Sequence, residues 1–92
     1  TMKNAALPAA AVSIRAEKPD AATCRITVSS DKLAKNLTLH YKGTAGIFSD
    51  NYFDLLPGES RSVPLTAPED AAEILRHIEC MALNPETTII KL

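Results

Sequence analysis

Three consecutive stretches of this chain alternate apolar and polar residues with a period of two, and this pattern limits the fold more than any other feature. Val12, Ile14 and Ala16 interleave with Ser13, Arg15 and Glu17, and Lys18-Pro19-Asp20 then breaks the run as a turn. Cys24, Ile26 and Val28 interleave with Arg25, Thr27 and Ser29, closed by Ser30-Asp31-Lys32. Leu37, Leu39 and Tyr41 interleave with Thr38, His40 and Lys42. Successive side chains on a strand point to opposite faces, so each run is a strand with one buried face. A spacing of about ten to thirteen residues, with turn residues between, predicts an antiparallel sandwich.

The second half continues the pattern in shorter pieces. Gly43 and Gly46 bracket a return through Ile47 and Phe48, and Ser49-Asp50-Asn51 forms a side-chain-capped turn. Tyr52 to Leu56 reads as extended. Pro57 presets the second position of a turn and Gly58 supplies positive φ at the third, which predicts a type II turn over Leu56 to Glu59. Val63 and Leu65 belong to the next strand. Thr66 and Glu69 fit a capping box ahead of a helical stripe of Ala71, Ala72, Ile74 and Leu75, which predicts one short helix near residues 67–76. Ile78, Cys80 and Ala82 resume the strand period, Asn84-Pro85-Glu86 turns the chain, and Thr87 to Leu92 is β-branched enough to return as a strand. The expected fold is all-β: an immunoglobulin-like β-sandwich of seven or eight antiparallel strands with one short helix, over residues 11–92. Residues 1–10, Ala-rich and broken by Pro8, are expected to be a linker or disordered lead-in. A first residue of Thr rather than Met reads as an excised piece of a longer chain. With 92 residues there is room for a single modest core.

Residues 47–59 concentrate three aromatic rings, three acids and a Pro-Gly turn. The run FSDNYFDLLPGE, Phe48 to Glu59, resembles the signature loop of the C-terminal immunoglobulin-like domain of β-mannosidases, the retaining enzymes of glycoside hydrolase family two. The resemblance is sharp over these residues and architectural elsewhere. It implies a non-catalytic accessory domain that packs on and stabilises the other domains of a parent glycosidase. In that family the catalytic glutamates lie in a barrel upstream, so no catalytic residue carries over to this chain. It also makes Phe48, Asn51, Tyr52, Phe53 and Asp54 the candidates for contact with a neighbouring domain or with sugar. The alternative for the rings is that they fill the domain's own small core.

The same resemblance gives the cysteines a place, since Cys24 in the second strand and Cys80 in the penultimate one fall where immunoglobulin domains bridge their sheets. A disulfide there closes a long loop, worth roughly 4 kcal/mol if unstrained. Two buried small apolar side chains remain the other reading, because the core Trp and the Tyr two residues before the second Cys are missing, Ile78 standing in the latter place.

Other chemistries find little support. Ten basic and eleven acidic residues are mixed along the chain, for a net charge of −1, so nucleic acid is not an expected partner. No apolar run approaches the roughly 18–20 residues that span a bilayer, so no membrane partner is expected. His77 and Cys80, three apart on an assumed strand, face opposite ways and do not form a zinc site with Cys24 and His40; His40 falls on the solvent face. Asp50, Asp54 and Glu59 could offer oxygen ligands to calcium, but their spacing is not that of an EF-hand; a turn cap for Asp50 and a bracing or interface role for Asp54 fit better. No cofactor and no metal is expected.

A retaining glycosidase needs two carboxyls roughly 5–5.5 Å apart in a sugar-gripping pocket, and a domain of this size has no place for one. Asn36-Leu37-Thr38 is a glycosylation sequon, meaningful in a eukaryotic secretory pathway. The parent is expected in the periplasm or outside the cell if bacterial, or in the lysosome if eukaryotic. An independent carbohydrate-binding module presenting Tyr52 or Phe53 to a sugar face is the main alternative, and an adhesion-type sandwich a third.

Overall fold

A computed structural model describes residues 7–41, 47–48 and 52–92, with backbone only at 47, 48 and 52. The described residues form eight strands and one helix: β1 (Ala10–Glu17), β2 (Thr23–Ser30), β3 (Ala34–Tyr41), β4 (Ile47–Phe48), β5 (Tyr52–Leu55), β6 (Ser60–Thr66), α1 (Ala71–His77), β7 (Ile78–Met81) and β8 (Thr87–Lys91). They pair into a five-stranded sheet, β4-β6-β2-β1-β8, and a three-stranded sheet, β5-β3-β7. The expected sandwich is present. One pairing departs from the expected antiparallel pattern, because β8 runs parallel to β1, with Val12 opposite Ile89. The chain crosses from the smaller sheet at β7 to the far edge of the larger one at β8, and this crossing sets the direction.

The alternating residues become the core. Val12, Ile14, Cys24, Ile26, Val28, Leu37 and Leu39 are fully buried, and Tyr41 is nearly so. Burying a side chain of the Leu or Ile class stabilises by about 1.5–3 kcal/mol, so these inward faces are the main force closing the two sheets. His40 is exposed, as its parity required. Ala34 and Leu37 are both buried although an odd separation should put them on opposite faces. A bulge resolves this: Ala34 pairs with Leu55 and Leu37 with Phe53, three residues against two, with Asn36 at φ 50°. Asparagine is among the residues that tolerate this left-handed conformation.

Helix α1 does not start where the sequence predicted. The N-cap is Asp70, whose carboxylate accepts the Glu73 N–H at 2.8 Å, while Thr66 ends β6. Strand pairing of Thr66 with Thr23 and Ile47 keeps that residue extended and overrides the local capping signal. His77 is the last helical residue rather than a strand residue, its Nδ1 3.0 Å from the Glu73 carbonyl. Its face relative to Cys80 is therefore not set by strand parity. Ahead of α1, the Lys18 ammonium donates to the carbonyls of Ala21, Ala67 and Glu69 at 2.7–3.0 Å, tying the β1–β2 turn to the loop that enters the helix.

β1 begins at Ala10, and its N–H donates to the Glu86 carbonyl at 3.1 Å. Pro8 is held as well. The side chain of Asn84, 6% exposed, donates to the Pro8 and Leu33 carbonyls at 2.7 Å each and accepts the Lys35 N–H at 3.0 Å. One buried amide thus joins the lead-in, the β2–β3 loop and the β7–β8 loop.

Candidate functional site

The segment from β5 into β6 is built around the turn that the sequence predicted. Gly58 has φ 77°, and the Glu59 N–H donates to the Leu56 carbonyl at 3.0 Å, as a type II turn requires. Glu59 does more than end it: its side chain accepts the Leu56 N–H at 2.9 Å, closing the turn from the other side. The Gly58 N–H donates to the Ser30 carbonyl at 2.9 Å, anchoring the turn to the end of β2.

Strand β5 divides its side chains by parity. Phe53 and Leu55 face inward, 8% and 0% exposed, while Leu56 just past the strand is 56% exposed. The Phe53 ring is a core ring, and its edge of the core is covered by the Arg61 guanidinium, 4.5 Å from the ring centroid. Such a cation over an aromatic face is worth about 0.5–1 kcal/mol when exposed. Asp54 points out and reaches across to β3. One oxygen accepts the Asn36 N–H at 3.0 Å and the other the Lys35 ammonium at 2.9 Å. The Asn36 N–H first, and Lys35 after it, hold the carboxyl below the usual aspartate range. An acid so committed stays ionised and is not a proton donor near neutral pH.

Residues 7–85 match the family model Ig_mannosidase, an Ig-fold domain. The chain belongs to this family. Within the Ig_mannosidase fold, Asp54 and Gly58 of the signature brace the end of β5 and the turn after it against β3 and β2. The crystal structure of the β-D-mannosidase from Dictyoglomus thermophilum is similar at a TM-score of 0.76 and 22% identity, over 95% of this chain and 10% of that one. That likeness is one of fold, and this chain spans a tenth of the length of its counterpart. No curated protein matches.

Of the five contact candidates, Phe53 is spent on the Ig-fold core, the alternative that the sequence left open for these rings, and Asp54 is a brace. Asn51 and the side chains of Phe48 and Tyr52 lie outside the described residues, as does Asp50. Both cysteines are free thiols. Cys24 is fully buried on β2, and Cys80 is half-buried on β7 opposite Leu39. Burial raises the Cys24 thiol and pushes that of Cys80 up to about 12, so both stay protonated and inert as nucleophiles. The inward parity holds for both, and they serve as small apolar side chains.

Two features of the site were missed in the sequence. Asn84 looked like a turn residue and is a buried junction; the Asn-Pro pair marks a turn but not which way the amide faces. The partner of Asp54 was invisible for a similar reason, because a bulge leaves no mark in the period-two pattern except the odd spacing of Ala34 and Leu37.

Proposed function

We propose that this Ig-fold domain is the non-catalytic accessory domain of a retaining β-mannosidase-type glycoside hydrolase, and that it packs on the neighbouring domains of its polypeptide and stabilises them. The observation that carries this is the commitment of the signature's polar groups among the described residues. The Asp54 carboxylate is filled by Asn36 and Lys35, the Glu59 carboxylate by Leu56, and the Gly58 N–H by Ser30. Groups satisfied inside the domain are not poised to grip or cleave a sugar, since a pair of catalytic carboxyls must be free to trade protons and to meet the anomeric carbon. Phe53, one of the two rings offered for stacking on sugar, is buried. The family match adds a mannosidase context, and the tenfold difference in length from the similar solved chain fits a domain with neighbours.

The test is calorimetry with manno-oligosaccharides, alongside an assay with an aryl β-mannoside. The chain is expected to hydrolyse nothing and to bind no more tightly than about millimolar, which corresponds to roughly −4 kcal/mol. Micromolar binding would replace this reading with that of a carbohydrate-binding module.

A further inference from the structure

We propose that the groove between β7 and β8 is the face that this domain presents to a neighbouring domain of its own polypeptide. The inference rests on the accessory-domain reading and adds to it which surface makes the contact. β7 is an edge of the three-stranded sheet and β8 an edge of the five-stranded one. Between them runs a groove of about 340 Å³, lined by Ile78, Glu79, Cys80, Met81, Ile89 and Lys91. Among the described residues, the exposed large apolar side chains are Leu56, Met81, Leu83, Ile90 and Leu92. All but Leu56 lie on or just after β7 and β8; of these Met81, 65% exposed, lines the groove, while Ile90, next to the groove-lining Ile89, faces the other side of β8.

The two sides of the sandwich are guarded differently. Edge strands are ordinarily protected by charge, by proline or by a covering segment. On the far side, β5 carries the Asp54–Lys35 ion pair and runs into Pro57. On the near side, the groove lining carries two charged residues, Glu79 on β7 and Lys91 on β8, and the Lys91 ammonium is drawn back onto the Arg76 carbonyl at 3.1 Å. A groove whose other described lining is Ile78, Cys80, Met81 and Ile89, with its cation folded away, fits a covered surface.

The size of the patch selects the occupant. A complex between free proteins buries about 20–30 residues on each side, far more than these few side chains offer, which argues against a second copy. A domain on the same chain meets the groove at an effective concentration in the millimolar range, where a small apolar contact suffices. The similar β-D-mannosidase chain, of which this domain's counterpart is 10%, has ample polypeptide to supply one.

Hydroxyl-radical footprinting of the full-length polypeptide tests this, with Met81 and Leu56 read from the same digest and each rate compared with that of the free amino acid. Met81 is expected to react about tenfold more slowly than its exposure here implies, because well-packed interfaces exclude water as protein interiors do. That protection should persist on dilution. Protection confined to Leu56 would overturn this choice of face while leaving the accessory-domain reading in place. Reaction at both residues would likewise overturn this choice of face. Protection of Met81 that disappears on dilution would mean a second copy and would also overturn the proposal.

Discussion

The Asp54 carboxylate accepts the backbone N–H of Asn36 at 3.0 Å, so an exposed acid on one edge strand fixes the left-handed residue at a bulge in the neighbouring strand. The bulge gives Ala34 and Leu37 a common inward face, so the bond links a surface carboxylate to the packing of β3. Asp54→Ala should lower the melting temperature by a few degrees at neutral pH, and Asp54→Asn, which keeps an acceptor, by less. The folded pKa lies below the ordinary value of 3.8, so the contribution is whole above that pH and is lost as the pH falls through the depressed value. The gap between wild type and Asp54→Ala should therefore narrow in acid. A gap that is constant down to pH 2 would contradict this.

Gly58→Val should destabilise by at least about 1 kcal/mol, because a β-branched residue resists positive φ. The strain comes from φ and not from a clash at the first carbon, since a Cβ at Gly58 meets no atom within 4 Å. Gly58→Asn should cost less than Gly58→Val for the same reason. Urea unfolding of the three proteins measures the order, and equal midpoints would mean that the turn tolerates any residue.

Asn84→Leu removes one acceptor and two donors from a buried junction. Leaving the Lys35 N–H and the Pro8 and Leu33 carbonyls without partners should destabilise by about 1–3 kcal/mol or more, since an unsatisfied buried group loses its water without gaining a bond. Asn84→Asp should also destabilise, because a carboxylate cannot donate to the two carbonyls. A urea midpoint unchanged in either variant would contradict the role assigned to this amide.

Stability should fall in alkali through three groups, since burial raises the Cys24 thiol as well. Burial pushes Cys80 from 9.0 to about 12, and burial together with the nearby Glu69 carboxylate pushes Tyr41 from 10.0 to about 12. All three are acids whose neutral form the fold prefers, so their contribution is complete below the unfolded pKa and drains away as the pH rises towards 12. In Cys80→Ala the decline that starts near pH 9 should be shallower, with the raised Cys24 thiol still contributing, and Tyr41→Phe should flatten its upper part. Melting temperatures from pH 8 to 12 that fall identically in all three proteins would contradict this.

The parts of the fold that the sequence revealed are those set by one local rule. Period-two alternation located β1, β2 and β3 and their inward residues, and the Pro-Gly pair gave the turn at Gly58 because positive φ there has one cheap solution. Leu55, the last residue of β5, and Leu56 just past it fall on opposite sides as the pleat continues into the turn, 0% and 56% exposed. The failures came where two rules competed. Thr66 and Glu69 satisfy the capping pattern, yet pairing within β6 holds Thr66 extended and Asp70 caps the helix instead. The roles of Asp54 and Asn84 depend on which distant backbone groups the fold brings to them, and no local pattern encodes that.

The most direct measurement is thermal unfolding and turnover of the full-length polypeptide with and without residues 1–92. The account predicts a lower melting temperature or soluble yield in the truncated protein, with turnover per folded active site unchanged, because the domain covers a surface and supplies no reacting group. Unchanged thermal stability together with lost turnover or lost affinity for mannan fragments would contradict it.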